Sequence, residues 1–194
     1  MSRGALAWCA LAGALALGAL VFWGVPRERL EWQPVLALRA PWRAWSAAFA
    51  HWSAWHLGAN LAGCAVVAAF GVAARVPSRS SLAWLAAWPI GHALLALQPA
   101  LTSYGGLSGV LHGGVAIAAW HLAREDASPY RRRLGWAVLA GLATKVLFEA
   151  PWGAPTRSVA GWDFAVAPLA HATGALAGLL CALAVDTRMR PSMR

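Results

Sequence analysis

The sequence predicts an all-α polytopic membrane protein, a bundle of six transmembrane helices with both termini cytoplasmic. Three observations carry that reading. Hydrophobic residues make up 60% of the 194 and charged residues only 12%, about half the charge of an ordinary soluble domain, and the mean hydropathy is +0.55. Apolar runs recur at 5–25, 55–74, 82–97, 109–123, 134–148 and 165–185. A helix crossing the bilayer core needs ~20 such residues, fewer if it starts below the surface. With the N-terminus inside, Arg3, Arg75, Arg79, Arg124, Arg131, Arg132, Arg133, Arg188, Arg190 and Arg194 fall on the inner side, and Arg27, Arg29, Arg39, Arg43 and Arg157 on the outer. Ten against five is the bias that orients membrane proteins, and it accounts for the net charge of +9 without a nucleic-acid partner. The runs use most of the chain, so 1–194 is read as one membrane domain.

Each element has its own signal. The run at 5–25 follows Arg3 but is long for a signal peptide and lacks a clear small-x-small site before Pro26, so it is read as a retained first helix. The outer segment 26–54 carries Trp32, Trp42, Trp45 and Trp52, a density suited to the headgroup layer. Pro77, Ser78, Arg79 and Ser80 make a tight inner turn, and 99–104 is an uncharged outer turn. The strongly basic loop 124–133 is internal, and 150–163, with Pro151, Gly153, Pro155 and Gly161, is an outer loop able to move. Cys9, Cys64 and Cys181 lie in separate apolar runs, which points to packing rather than to a disulfide or a zinc site.

Polar residues inside these runs can be given a height. Counting from the inner arginines at ~1.5 Å per residue puts Asn60 roughly 22 Å from Arg75, Ser108 roughly 24 Å from Arg124, and His171 roughly 26 Å from Arg188. The three share one level, just below the outer edge of a ~30 Å core. The helix beginning at Ser108 is too short to reach the outer surface, so its serine is recessed. Non-helical backbone such as Tyr104-Gly105-Gly106 is tolerated at that depth only beside protein or a water-filled cavity. A wet pocket opening outward follows.

Serine and histidine at one depth are what cutting a peptide bond inside a membrane requires. Ser108 at a helix N-terminus is the candidate nucleophile, with backbone N–H groups and the helix dipole available to an oxyanion. His171 is the candidate general base. His56 and Asn60, four apart, share a helix face and can donate to the same oxyanion as the Ser108 N–H. Gly174 and Gly178, on the face of His171, together with Gly109, Gly113 and Gly114 let two helices approach closely. No Asp or Glu has an evident role beside His171, so the expectation is a Ser–His dyad. Plainer readings exist for each residue alone: a serine cap, an asparagine as interhelical glue, and interfacial or packed positions for His51, His92, His112 and His121. Together at one depth, buried polar groups in a membrane read as a functional site.

Assembled, Gly106-Leu107-Ser108-Gly109, His56-x-x-x-Asn60 and Ala170-His171-x-x-Gly174-x-x-x-Gly178 resemble the rhomboid intramembrane serine proteases. The resemblance spans all six runs. It implies that Ser108 and His171 form the catalytic pair, that His56, Asn60 and Ser108 serve the oxyanion, and that His51 begins the His-rich segment. A narrower resemblance is to rhombosortase, a bacterial branch, through the compact length, Gly-Leu-Ser-Gly-Val-Leu-His-Gly at 106–113 and Lys145-x-x-x-Glu149. It implies a multi-pass protein of the bacterial inner membrane that cleaves membrane-anchored substrates with a C-terminal Gly-Gly tail and needs no cofactor or metal. His112 departs from the tyrosine of many rhomboids, which bears on ring stacking over His171. Gly106, His112, Lys145 and Glu149 are candidate substrate-binding residues. Lys145 and Glu149 either pair across one helical turn or, with Glu149 roughly 24 Å from Arg133, meet the substrate tail. Two other classes stand beside a protease: a catalytically silent relative that binds membrane clients, and a haem or metal protein using the six histidines.

Overall fold

The chain folds as helices joined by short 3-10 turns, as seen in a computed structural model that describes residues 1–124 and 128–187. The α-helices are α1 (Arg3–Val21), the short α2 (Arg43–Ser46), α3 (Ala54–Ala73), α4 (Ser78–Ala93), α5 (Ser108–Ala123), α6 (Pro129–Phe148) and α7 (Pro168–Thr187). No strand occurs among the described residues, only two isolated bridges. Arg188, Arg190 and Arg194, used above for orientation, lie outside the described residues.

The six long helices match the six apolar runs, and four are long and apolar enough to cross a membrane: α1, α3, α4 with its 3-10 extension to Leu97, and α7. α5 has only 16 residues. α6 has 20 but opens on Arg131, Arg132 and Arg133 and holds Lys145 near its end. Two boundaries are corrected. The residues expected as a turn at 77–80 begin α4 instead, with Pro77 as its N-cap. The chain reverses one step earlier, where Arg75 takes φ 55° and the Val76 N–H reaches back to the Gly71 carbonyl at 3.1 Å. Likewise α6 begins at Pro129, because Ser128 caps it by accepting from the Arg131 N–H at 3.4 Å.

α5 is the central helix. It contacts α3, α4, α6 and α7, and its buried residues run round the whole cylinder, from Gly109 and Val110 to Leu122 and Ala123, as expected of a helix that is apolar on every side. Its tightest neighbour is α7. A Cβ on Gly174 would strike the Gly109 backbone, one on Gly178 the Gly113 backbone, and one on Gly109 would sit 2.7 Å from the Ala170 carbonyl oxygen. Gly114, expected at this contact, faces Trp84 and Val67 instead, because it sits one residue round the helix from Gly113. α4 joins the same seam, where a Cβ on Gly91 would lie 3.2 Å from Gly174 Cα.

On the other flank α1 packs against α3 and α4. Trp8 and Trp84 meet with ring centroids 4.4 Å apart. Their indole N–H groups, which have no water to turn to, donate to the Val67 carbonyl (2.9 Å) and the Val110 carbonyl (2.8 Å). α6 is the loosest long helix: Gly135 alone is buried, against the backbone of Ala119 and Ala123. Outward-facing Leu17, Leu82, Leu147 and Leu180 are exposed, an exterior suited to acyl chains. The segment between α1 and α3 is tied inward by reciprocal backbone bonds of 2.8 Å between Trp32 and Tyr104 and exposes Val35, Leu38 and Trp42.

The glycine seam predicts an asymmetry. Gly174→Ala should lower the thermal midpoint in detergent markedly, since overpacking a tight contact costs about 1–3 kcal/mol. Gly13→Ala, where a Cβ meets open space, should be neutral or slightly stabilising. Equal midpoints for the two variants would show that the seam is not under this constraint.

Candidate active site

Ser108 is the first residue of α5, after Leu107. A serine often caps a helix, but the N-cap of α5 is Leu107, whose side chain makes no cap bond. The hydroxyl turns outward instead, with Oγ 3.0 Å from His171 Nε2. His171 lies in the first turn of α7 and is 7% exposed. The two meet because the glycines of α5 and α7 bring the backbones together immediately below them.

His112, one turn along α5, supports this pair. Its Nδ1–H donates to the Ser108 carbonyl at 2.6 Å, and its ring stacks on His171 with centroids 4.3 Å apart and planes 11° from parallel. Ring stacking over the base is thus kept with histidine in place of tyrosine.

A carboxylate also reaches His171, which corrects the expectation that no acidic side chain does. Glu149 Oε2 lies 2.7 Å from His171 Nδ1, while Oε1 accepts from Lys145 Nζ at 2.8 Å. Lys145 Nζ is itself 3.2 Å from His171 Nδ1. The helical pairing expected of Lys145 and Glu149 is present, and the pair as a whole sits on the imidazole. Glu149 is placed by a sharp helix end: α6 stops at Phe148, Ala150 takes φ 50°, and Arg157 donates to the Glu149 carbonyl at 3.1 Å.

The opposite wall comes from α3. Ser53 caps this helix through the His56 N–H at 3.0 Å and donates from its own hydroxyl to Asp163 at 2.7 Å. The Trp52 N–H donates to His56 Nδ1 at 3.4 Å, so the ring hydrogen resides on Nε2, the nitrogen beside Gly106. Phe164 stacks on the His56 ring at 4.0 Å. Asn60, one turn further, is buried, and its Nδ2 has no hydrogen-bond partner among the described residues. Other buried atoms, such as Trp32 Nε1 and His92 Nε2, are likewise without a partner among the described residues, but this one lies beside Gly106. That glycine takes φ 110°, and a Cβ on it would sit 2.6 Å from His56 Nε2 and 3.4 Å from Asn60 Nδ2, so any other residue would be strained there and would displace His56. Its N–H is held by the Ala47 carbonyl at 2.8 Å.

These side chains line a cavity of about 540 Å³ that includes His56, Asn60, Ser108, His112, Lys145, Glu149 and His171, walled on its apolar side by Leu111, Phe148, Val159, Trp162 and Phe164. A second cavity of about 200 Å³, bounded by Trp52, Tyr104, Gly105 and Ala167, shares His56, Ser108 and Phe164 with it. Gly106, a candidate for substrate contact, is instead backing for His56 and Asn60 and lines neither cavity. His51 is buried outside both, its Nδ1–H donating to the Phe49 carbonyl at 3.2 Å and its ring 4.9 Å from His56. His92 is a packing residue, bonded to the Ala44 carbonyl at 2.7 Å. Among the described residues, no three His, Cys, Asp or Glu side chains converge as metal ligands.

Sequence reasoning missed Tyr104, whose hydroxyl accepts from the Gly109 N–H and donates to the Gly106 carbonyl, both at 3.3 Å. It also missed Phe164, which comes from the loop between α6 and α7. Neither sits in a recognisable pattern. For Glu149 there was a signal, its height level with Ser108, but not the neighbour it would meet.

No curated protein and no solved structure matches the chain. A family model, the Rhomboid domain, matches residues 38–187, a span that runs from the segment before α2 through α7 and holds every residue of the site. Rhomboids are intramembrane serine proteases acting on membrane-anchored proteins, and the apolar helices found here suit a protein embedded in a bilayer. The chain belongs to the rhomboid family.

Proposed function

We propose that this protein is an active intramembrane serine endopeptidase, with Ser108 as nucleophile and His171 as general base. The observation that carries the reading is the 3.0 Å contact between Ser108 Oγ and His171 Nε2, on the wall of a cavity that Asn60, with its unpartnered Nδ2, also lines. Ser108 Oγ attacks the scissile carbonyl as its proton passes to His171 Nε2. Charge on the tetrahedral oxygen is met by the Ser108 N–H, by Asn60 Nδ2–H and by His56 Nε2–H, dipoles already in place before the reaction. His171 then returns the proton to the leaving amine, the C–N bond breaks, and the acyl group stays on Ser108 until water attacks with His171 again as base.

The chain forms one domain that crosses the bilayer six times with both termini cytoplasmic. α5 is short because Ser108 starts below the membrane surface, and the basic start of α6 lies in the inner interface. The substrate is a membrane-anchored protein cut near a C-terminal Gly-Gly tail, as in rhombosortases, and the setting is a bacterial inner membrane. What supports the glycine preference is the smaller cavity beside Ser108, whose ~200 Å³ suits a tail without side chains better than a bulky residue.

Ser108→Ala and His171→Ala should each abolish cleavage of a Gly-Gly-tailed reporter co-expressed in a bacterial membrane, with the protein still inserted and folded. The double variant should lose no more than either single one, since groups acting as a unit are not additive. Near-normal cleavage by Ser108→Ala would end the protease reading and favour a client-binding relative.

Asn60→Ala and His56→Ala should each slow turnover by about 10²–10³, the usual loss for one oxyanion donor, with little change in the thermal midpoint for Asn60, whose Nδ2 bonds to no described residue. Loss of folded protein with unchanged specific activity of the remainder would make both residues structural.

A further inference from the structure

His171 Nδ1 has two competing neighbours, and they would set opposite tautomers. If Nδ1 carries the hydrogen, it donates to Glu149 Oε2 at 2.7 Å, and Nε2 presents a lone pair to the Ser108 hydroxyl. If Nδ1 carries the lone pair, it accepts from Lys145 Nζ at 3.2 Å, Nε2 is protonated, and the ring cannot take the serine proton. The carboxylate is the nearer partner, and charge-assisted bonds of this length are the strong ones. Its other oxygen accepts from the same ammonium at 2.8 Å, which gives Lys145 a charged acceptor nearer than the ring nitrogen.

We infer that Glu149 is the positioning residue of His171: it selects the Nδ1–H tautomer and restrains Lys145, a built-in competitor for the same nitrogen. The inference rests on the protease reading above. It adds a Ser–His–Glu relay in which the third group comes from α6, the least buried of the long helices, and not from α5 or α7. Glu149 touches neither the scissile bond nor Ser108. It acts by holding the imidazole through the step in which Nε2 gains the serine proton and the ring becomes cationic, a charge that the carboxylate offsets. Loss of the orienting carboxylate in such relays lowers kcat by about 10⁴, because the imidazole then rests in the wrong tautomer.

The competitor makes the test specific. Glu149→Ala should lower kcat at least a hundredfold with little change in KM, equally for a Gly-Gly-tailed and a generic rhomboid substrate. Glu149→Asp should recover part of the loss. Adding Lys145→Met to Glu149→Ala should raise kcat about tenfold above the single variant, because it frees Nδ1 from the ammonium. A merely structural carboxylate predicts no such rescue, and a tail-binding one predicts a KM rise confined to the Gly-Gly substrate. In the Ser108→Ala background, ¹⁵N spectra of His171 in detergent should show Nδ1 protonated, moving to Nε2 protonated on Glu149→Ala. An unchanged tautomer, or a loss in kcat below threefold, would overturn the inference. If wild type and Ser108→Ala were equally inactive on every substrate, the protease reading would fall, while the ¹⁵N spectra would still decide what Glu149 does to the ring.

Discussion

Backbone contact between α5 and α7 is the constraint on which the rest of this structure depends. In a bilayer the lipid tails are as apolar as leucine, so helices gain little by hiding apolar side chains from them and associate instead through close packing. Gly109 and Gly113 on one helix, and Gly174 and Gly178 on the other, remove the side chains that would hold the backbones apart. Ser108 and His171 stand at the end of that seam. Their 3.0 Å separation is therefore inherited from the fold rather than from flexible side chains reaching across a gap.

The site is polar, and its position in an apolar bundle dictates how each polar group is treated. Most find partners close by: His112 on the Ser108 carbonyl, Tyr104 between Gly106 and Gly109, Ser53 on the His56 N–H and on Asp163. Asn60 Nδ2 does not. A donor left unpaired at this depth costs stability, and its place beside Gly106 is where a negative oxygen bound near Ser108 would complete it. Two positive-φ residues lie in the same neighbourhood, Gly106 at φ 110° and Ala150 at φ 50°. One opens space for the α3 donors, and the other ends α6 so that Glu149 faces His171.

The remaining architecture supports this arrangement from outside. Ala47 and Trp32, in the segment between α1 and α3, bind the backbone of Gly106 and Tyr104 and so hold the non-helical approach to Ser108. The loop between α6 and α7 contributes Phe164 over His56 and is anchored by the Ser53–Asp163 bond. α6, by contrast, is fastened mainly at Gly135, toward its basic end. Its far end is held by polar contacts of Lys145 and Glu149.

The pattern of apolar runs was enough to find every long helix, because a run of fifteen to twenty-one mostly apolar residues has few other stable fates in a membrane. It also gave the shared height of Asn60, Ser108, His171 and Glu149, since rise per residue is a constant of the helix. Boundaries were less legible. Ser78 and Pro129 begin helices that hydropathy alone starts later, because capping and charge rather than apolar content decide where a helix can begin. What height could not reveal was azimuth. Which way α6 leans, and so whether Glu149 meets a substrate, Lys145 alone or His171, depends on the packing of Gly135 against α5. Tyr104 and Phe164 were invisible for a related reason, as both enter the site from irregular backbone with no period to read. The sequence by itself determined the helices and the level of their polar groups. The tertiary structure alone decided which of those groups touch, because contact between helices depends on rotation about their axes and on the crossing geometry set by small residues.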